Sequence, residues 1–335
     1  MNIASLELVD LLVNLEKKAL ADIPLTFDEA LSVLQFDSTR LFTLLAVTDR
    51  VRREHKQDKI SLCSIVNAKS GGCPEDCAFC SQSVHASSKV EEFDFISDKK
   101  VLDGATEALE NGAHKYGIVT SGYGLADDKK KIDINPIIAY LEKLKSNIDI
   151  HRCASLGIID YQSAVKLKEA GLIEYHHNLE TARSFFPQIC TTHDYEDDIN
   201  SVKAAKQAGL KVCSGAIFGI GESDEQRVEL AFTLKELDVD SIPINILNPI
   251  KGTKLENSKP LSPIKILTII AMFRLMMPTK DIKVAGGREK NLRDLQSLIF
   301  AAGANSTMVG SYLTTTGRDG ALDLQMINDL GLSTI

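Results

Sequence analysis

The chain has 335 residues, 44% hydrophobic and 25% charged, which supplies a sizeable core and excludes wholesale disorder. Thirty-eight basic against 46 acidic residues give a formal charge of −8, an argument against a nucleic-acid footprint or attachment to an anionic membrane. No apolar run reaches the ~20 residues of a bilayer span; the longest, 264–273, is interrupted by Lys265 and Thr268.

The first fifteen residues carry Glu7 and Asp10 and no basic cluster, unlike a secretory signal, so a cytoplasmic location is expected. Leu8, Leu11, Leu12 and Leu15, then the stretches 27–34 and 39–51, show helical spacing without strands. Residues 1–55 therefore read as a helical extension packed against the remainder of the chain.

From residue 56 onward eight β-branched runs appear, at 60–67, 115–120, 148–156, 174–179, 211–218, 241–247, 282–285 and 306–309. Amphipathic segments follow them in turn, near 101–111, 136–145, 161–170, 195–208, 224–237, 262–277, 291–302 and 323–330. Gly112, Gly171, Gly209 and Gly303 each stand just past a helix and just before a strand, where a left-handed residue stops the helix. Such alternation predicts an all-parallel sheet. Eight units fit a closed TIM-type (β/α)8 barrel over 56–335 better than an open doubly wound sheet.

Seven cysteines, an odd number, argue for metal or redox chemistry over a disulfide framework. Cys73, Cys77 and Cys80 crowd into eight residues directly after the first predicted strand. Three thiolates on a cubane leave one iron open to a chelating small molecule. A structural zinc site is the competing reading, but such sites are closed by four ligands, and the nearest further donor in the sequence is His85.

The triplet, with Phe79 inside it, resembles the radical S-adenosylmethionine superfamily. The strings NAKSGGCPEDCAFCSQS (67–83), YHHNLET (175–181), KVCSG (211–215), IPIN (242–245) and AGGRE (285–289) together resemble the biotin synthase family over about 35–332. The resemblance implies a [4Fe–4S] cluster on Cys73, Cys77 and Cys80 and cleavage of S-adenosylmethionine to a 5′-deoxyadenosyl radical. It further implies sulfur insertion between C6 and C9 of dethiobiotin, with sulfur drawn from a second, [2Fe–2S] cluster. Cys153, Cys213 and Arg288 fall at motif positions of that second cluster's ligands. The family's remaining cysteine lies within KYGIVTSG (115–122), where Gly117 stands here. Cys63, on the preceding strand with the parity of Ile65 and Asn67, is the candidate replacement.

By the same resemblance Phe79, Ser121, Gly122 and Glu180 bind the cofactor, residues 214–222 line its adenine pocket, and Asn178 and Asn245 bind the substrate's ureido ring. The glycine spacing in 214–222 is wrong for a dinucleotide fingerprint. Glu180 stands where an aspartate is frequent, and Asp198 where an arginine is common. Cys190 reads as a loop or helix-start residue without a motif partner. His176, His177 and His193 read as structural or solvent-facing, since homolytic hydrogen abstraction needs no base. A homodimer, reduced by flavodoxin or ferredoxin, is implied. The alternatives are a radical enzyme of the hydrogenase-maturase or methylornithine-forming type without the sulfur-donating cluster, and a non-catalytic iron–sulfur or zinc protein.

Overall fold

The computed structural model describes residues 3–126, 131–313 and 317–335. Three helices come first, α1 (Ile3–Leu20), α2 (Phe27–Leu34) and α3 (Leu41–Lys56). Thr26 starts α2 through a reciprocal capping box with Glu29, satisfying two otherwise orphaned N–H groups.

Next come β1 (Lys59–Lys69), α4 (Asp98–Glu110), β2 (Lys115–Thr120), α5 (Asn135–Asn147), β3 (His151–Ser155), α6 (Tyr161–Glu169) and β4 (Glu174–His176). The chain continues through α7 (Tyr195–Gln207), β5 (Lys211–Cys213), β6 (Ala216–Phe218), α8 (Asp224–Glu236), β7 (Ser241–Ile246), α9 (Pro263–Met276) and β8 (Asp281–Val284). It ends with α10 (Arg288–Leu292), α11 (Leu298–Ala301), β9 (Ser306–Met308), α12 (Gly320–Asp329) and β10 (Ser333–Thr334).

Every strand pairing is parallel, and β9 returns to β1 through Ser61–Ser306, Leu62–Thr307 and Cys63–Met308. The sheet is therefore closed. The expected fifth strand is split at Ser214–Gly215 into β5 and β6, both of which pair with β7, so eight barrel positions remain. The joining glycines Gly112, Gly171, Gly209 and Gly303 all take positive φ, as their place between helix and strand requires.

Two elements depart from the sequence reading. The helix expected over 291–302 is broken into α10 and α11 around a 3-10 turn, with Arg293 at φ 52°. The unpredicted β10 pairs with the start of β1; two residues are too short to show an alternation.

The helical extension packs on α9, which is why α9 is apolar around its whole circumference and buried from Ile266 to Met276. Buried Arg52 of α3 donates to the carbonyls of Phe300 and Gln57, and Thr48 donates to Ala301. These bonds fasten the extension to the end of the barrel. No single helix among the described residues is long and apolar enough to cross a membrane.

His114 precedes β2 and meets the Ser61 hydroxyl through Nε2 at 3.2 Å. Burial first, then Lys115 and His151, lowers its pKa to about 4. Unfolded, a histidine titrates near ~6.5, so between these values the unfolded chain binds the extra proton and stability falls as pH drops. Urea midpoints are expected to decline from pH 7 to pH 5, and less steeply in His114→Asn.

Candidate functional site

The cysteine loop leaves the C-terminal end of β1, where barrel sites are built. Gly71 and Gly72 both adopt positive φ, reversing the chain at once after the strand. The loop is clamped by residues 189–193: Ala78 N–H donates to Ile189, and the Asp76 carboxylate accepts from the Thr191 N–H and hydroxyl at 2.8 and 2.7 Å. Burial raises the Cys73 thiol and pushes Cys80 up to about 11. Cys77 is raised by its contact with Cys190 and by burial. Thiols held protonated in the metal-free chain must release protons when a metal binds.

His85 is exposed and engages the Pro74 carbonyl, so it does not complete the triplet. Cys190 is not an idle loop residue. It is buried, with Sγ 3.9 Å from Cys77 and 3.3 Å from His193 Nδ1. His193 also meets Glu75 at 2.7 Å and Asp198 at 3.5 Å, and Asp198 accepts from His177 Nε2 at 2.8 Å. Burial opposes charge on His193, but its bonds to Asp198 and Cys190 prevail and raise it to about 11. Asp198 is thus committed to two histidines.

Below the loop lies a cavity of about 370 Å³ lined by Phe79, Asn178, Glu180, Ile217 and Asn245. Ile217 belongs to the 214–222 stretch, whose Glu222 carboxylate accepts from the Gly219 and Ile220 N–H groups. Asn178 and Glu180 face the same way, their side chains 3.4 Å apart. Burial first, then Asp198, pushes Glu180 up to about 8. Asn178 accepts from Gly215 N–H, while Asn245 donates to Ala216 and accepts from Gly286 N–H. An asparagine amide has two donors and two lone pairs, so each pinned side chain keeps capacity toward the cavity. Ser121 does not line it; its hydroxyl donates to Gly71 at 2.7 Å, bracing the cysteine loop, and Gly122 follows at φ 126°.

Deeper in the same cavity, inward-facing residues of different strands form a layer of thiols. Cys63 of β1, Cys153 of β3 and Cys213 of β5 all line it, together with Gly117 and His176. Gly117 stands in register with Ile65 and with Cys153, so Cys63 reaches the layer from the strand next to the glycine. His176 Nδ1 lies 3.3 Å from Cys213 Sγ. Burial raises Cys213 to about 11 and also raises Cys153.

Arg288 lies outside this cavity, on α10 beyond the Gly287 reversal, and its guanidinium is fully buried against Asp323 of α12 at 2.7 and 2.9 Å. The basic side chain among the thiols is Lys283 of β8, with Nζ 3.6 Å from Cys213 Sγ. Burial works against its charge, but Cys213, Cys63 and Glu174 outweigh that and raise it. A lysine between Ile282 and Val284, with the parity of Ala285, is the signal available in the sequence.

Two family models match the chain, the radical SAM superfamily over residues 68–234 and the biotin and thiamin synthesis associated domain over 243–333. The biotin synthase of Geotalea uraniireducens is 52% identical over 309 residues, 92% of this chain and 93% of that protein. That of Geobacter metallireducens is 50% identical over 322 residues, 96% and 97% of the two chains. Among solved structures, methylornithine synthase superposes with a TM-score of 0.81 at 20% identity, covering 96% of this chain and 97% of that one. The hydrogenase maturase HydG reaches 0.83 at 15%, covering 97% and 75%. At such identities these two show the fold alone.

Proposed function

The chain belongs to the biotin synthase family, and from that premise we propose how its own residues carry the family's reaction. It is an S-adenosylmethionine-dependent sulfurtransferase that converts dethiobiotin to biotin. The observation that carries the residue-level reading is that one cavity joins the cysteine loop to a layer of three thiols contributed by three strands.

The donor sets fit two iron–sulfur clusters. Cys73, Cys77 and Cys80 offer three thiols on one short loop and leave a ligand position for S-adenosylmethionine. Cys63, Cys153 and Cys213 offer three more, with Lys283 as the neighbouring cation in place of Arg288. When bound, the first cluster with S-adenosylmethionine supplies the hydrogen-abstracting radical, and the second supplies sulfur.

Phe79 and Ile217 flank the space for the adenosyl group, and Glu180 faces its ribose. Ser121 and Gly122 hold the cysteine loop against that end of the site. Asn178 and Asn245, pinned to the backbone on one side, present an amide donor and acceptor to the ureido ring, fixing which carbons of dethiobiotin face the adenosyl carbon. Apolar Ala78, Phe185, Ile189, Ile220 and Leu247 form their own cluster near the mouth, which limits access of solvent to the reacting centre.

Residues 1–55 serve as the extension and 56–335 as the catalytic barrel. Reduced thiols suit the cytoplasm, with flavodoxin or ferredoxin as electron donor and a homodimer as the assembly. Anaerobically reconstituted, ⁵⁷Fe-labelled protein is expected to show two cluster types by Mössbauer spectroscopy. With reductant, S-adenosylmethionine and dethiobiotin it should yield biotin and two equivalents of 5′-deoxyadenosine. A single cubane and 5′-deoxyadenosine without biotin would refute the second-cluster assignment.

A further inference from the structure

At the N-terminal end of the barrel, beneath the thiol layer, lies a second cavity of about 280 Å³ that the reaction leaves unused. Its wall includes Lys56, Lys115, Lys211 and Lys280 against Glu174, Asp240 and Asp281. The acids are already engaged: Lys56 pairs with Asp281, Lys115 with Glu174, and the Asp240 carboxylate accepts from Val212 N–H. Lys211 has no carboxylate partner among the described residues, so the entrance carries net positive charge.

Glu174 lines this cavity and the upper one alike. It is 1% exposed; Oε2 accepts from Lys115 and meets His151, whereas Oε1, equally buried, has no hydrogen-bond partner among the described residues. An orphaned buried carboxylate oxygen implies an absent proton donor. On β7, Ser241 lines the lower cavity and donates to Cys213 Sγ at 3.0 Å. On β8, Lys283 stands two residues above Asp281 and reaches the same sulfur. One layer of side chains separates the floor of the barrel from the thiols.

We propose that this lower cavity is the entry for hydrosulfide that rebuilds the second cluster. The inference rests on the functional reading: sulfur that leaves in the product must be replaced, and the upper mouth is where cofactor and dethiobiotin bind. Hydrosulfide fits the junction through its sulfur, which accepts from an ammonium group, and the neutral hydrogen sulfide in equilibrium with it near pH 7 donates S–H to Glu174 Oε1. The ammonium groups of Lys115 and Lys283 flank the junction and disfavour a bare cation there.

The test is a rebuilding assay on protein that has completed one turnover, supplied with excess ⁵⁷Fe³⁺ and limiting sodium sulfide, so that two ferric ions and two hydrosulfides form the cluster with release of two protons and no added oxidant, with both clusters followed by Mössbauer spectroscopy of timed samples. Thr279, exposed on the rim of the lower cavity, is replaced by tryptophan to plug it; Lys211→Glu reverses the unpaired charge. Both variants are expected to regain the second cluster about tenfold more slowly, the scale on which a charge-lined cleft changes capture of an ion. The [4Fe–4S] cluster, which turnover does not consume, keeps its signal in every sample, and Thr279→Ala behaves as the parent. Raising sulfide closes the gap. Equal rates for all proteins, with two clusters formed, overturn the entry route alone; a parent that forms only one cluster type overturns the functional reading and the route together.

Discussion

Replacing Cys63 by alanine is expected to strip the second cluster and abolish biotin formation, while the [4Fe–4S] cluster and reductive cleavage of S-adenosylmethionine persist. Cys63 is buried, lines the cavity with Cys153 and Cys213, and sits on the strand adjoining the one that carries Gly117. Losing it leaves two cysteines, too few to hold an iron–sulfur cluster that exchanges sulfur. The decisive complement is Gly117→Cys in the Cys63→Ala background. A Cβ at residue 117 would approach Ile65 Cγ2 at 3.2 Å and Cys153 Cβ at 3.7 Å. A small movement of the Ile65 side chain admits the new thiol, which is expected to restore second-cluster iron. Iron analysis with Mössbauer spectroscopy reads both results; a Cys63→Ala protein with a full second cluster would remove Cys63 from the ligand set.

Lys283 and Arg288 should fail in opposite ways. Lys283→Met takes the cation out of the thiol layer while nearly preserving volume, and second-cluster iron affinity or product formation is expected to fall about 10–100-fold, as when an outer partner of a metal site is lost. The unfolding midpoint should change little by comparison. Arg288→Met leaves Asp323 buried and only partly compensated by Arg318 at 3.2 Å, and breaking such a buried pair costs about 3–5 kcal/mol. Denaturant unfolding should report that loss, whereas the second cluster's spectrum in the folded fraction should match the parent. If Arg288→Met instead alters that spectrum at unchanged stability, the arginine belongs to the metal centre after all.

These residues mark how far local pattern reaches. Parity along β1 points Cys63 inward, because in a strand alternate side chains share a face, and the structure places it in the cavity. Parity along β8 points Lys283 inward just as firmly, whereas the arginine in AGGRE matches by motif position alone. Gly287 reverses the chain before Arg288 and sends it to Asp323, 35 residues further on. Cys190 escapes a local reading for a related reason: its neighbour Cys77 lies 113 residues earlier, beyond the span of any helix or strand period.

The barrel, the helical extension, the cysteine triplet and the chemistry the triplet implies are legible along the chain, because hydrophobic period, glycine stops and short ligand spacing are all written within a few residues of one another. Which basic side chain stands among the thiols, that Asp198 is held by two histidines, that Cys190 touches Cys77 and that Glu174 links two cavities emerge on folding alone. Each of these depends on the register and closure of separate strands, and on which way a turn sends the chain, quantities set by packing across the whole barrel rather than by neighbouring residues.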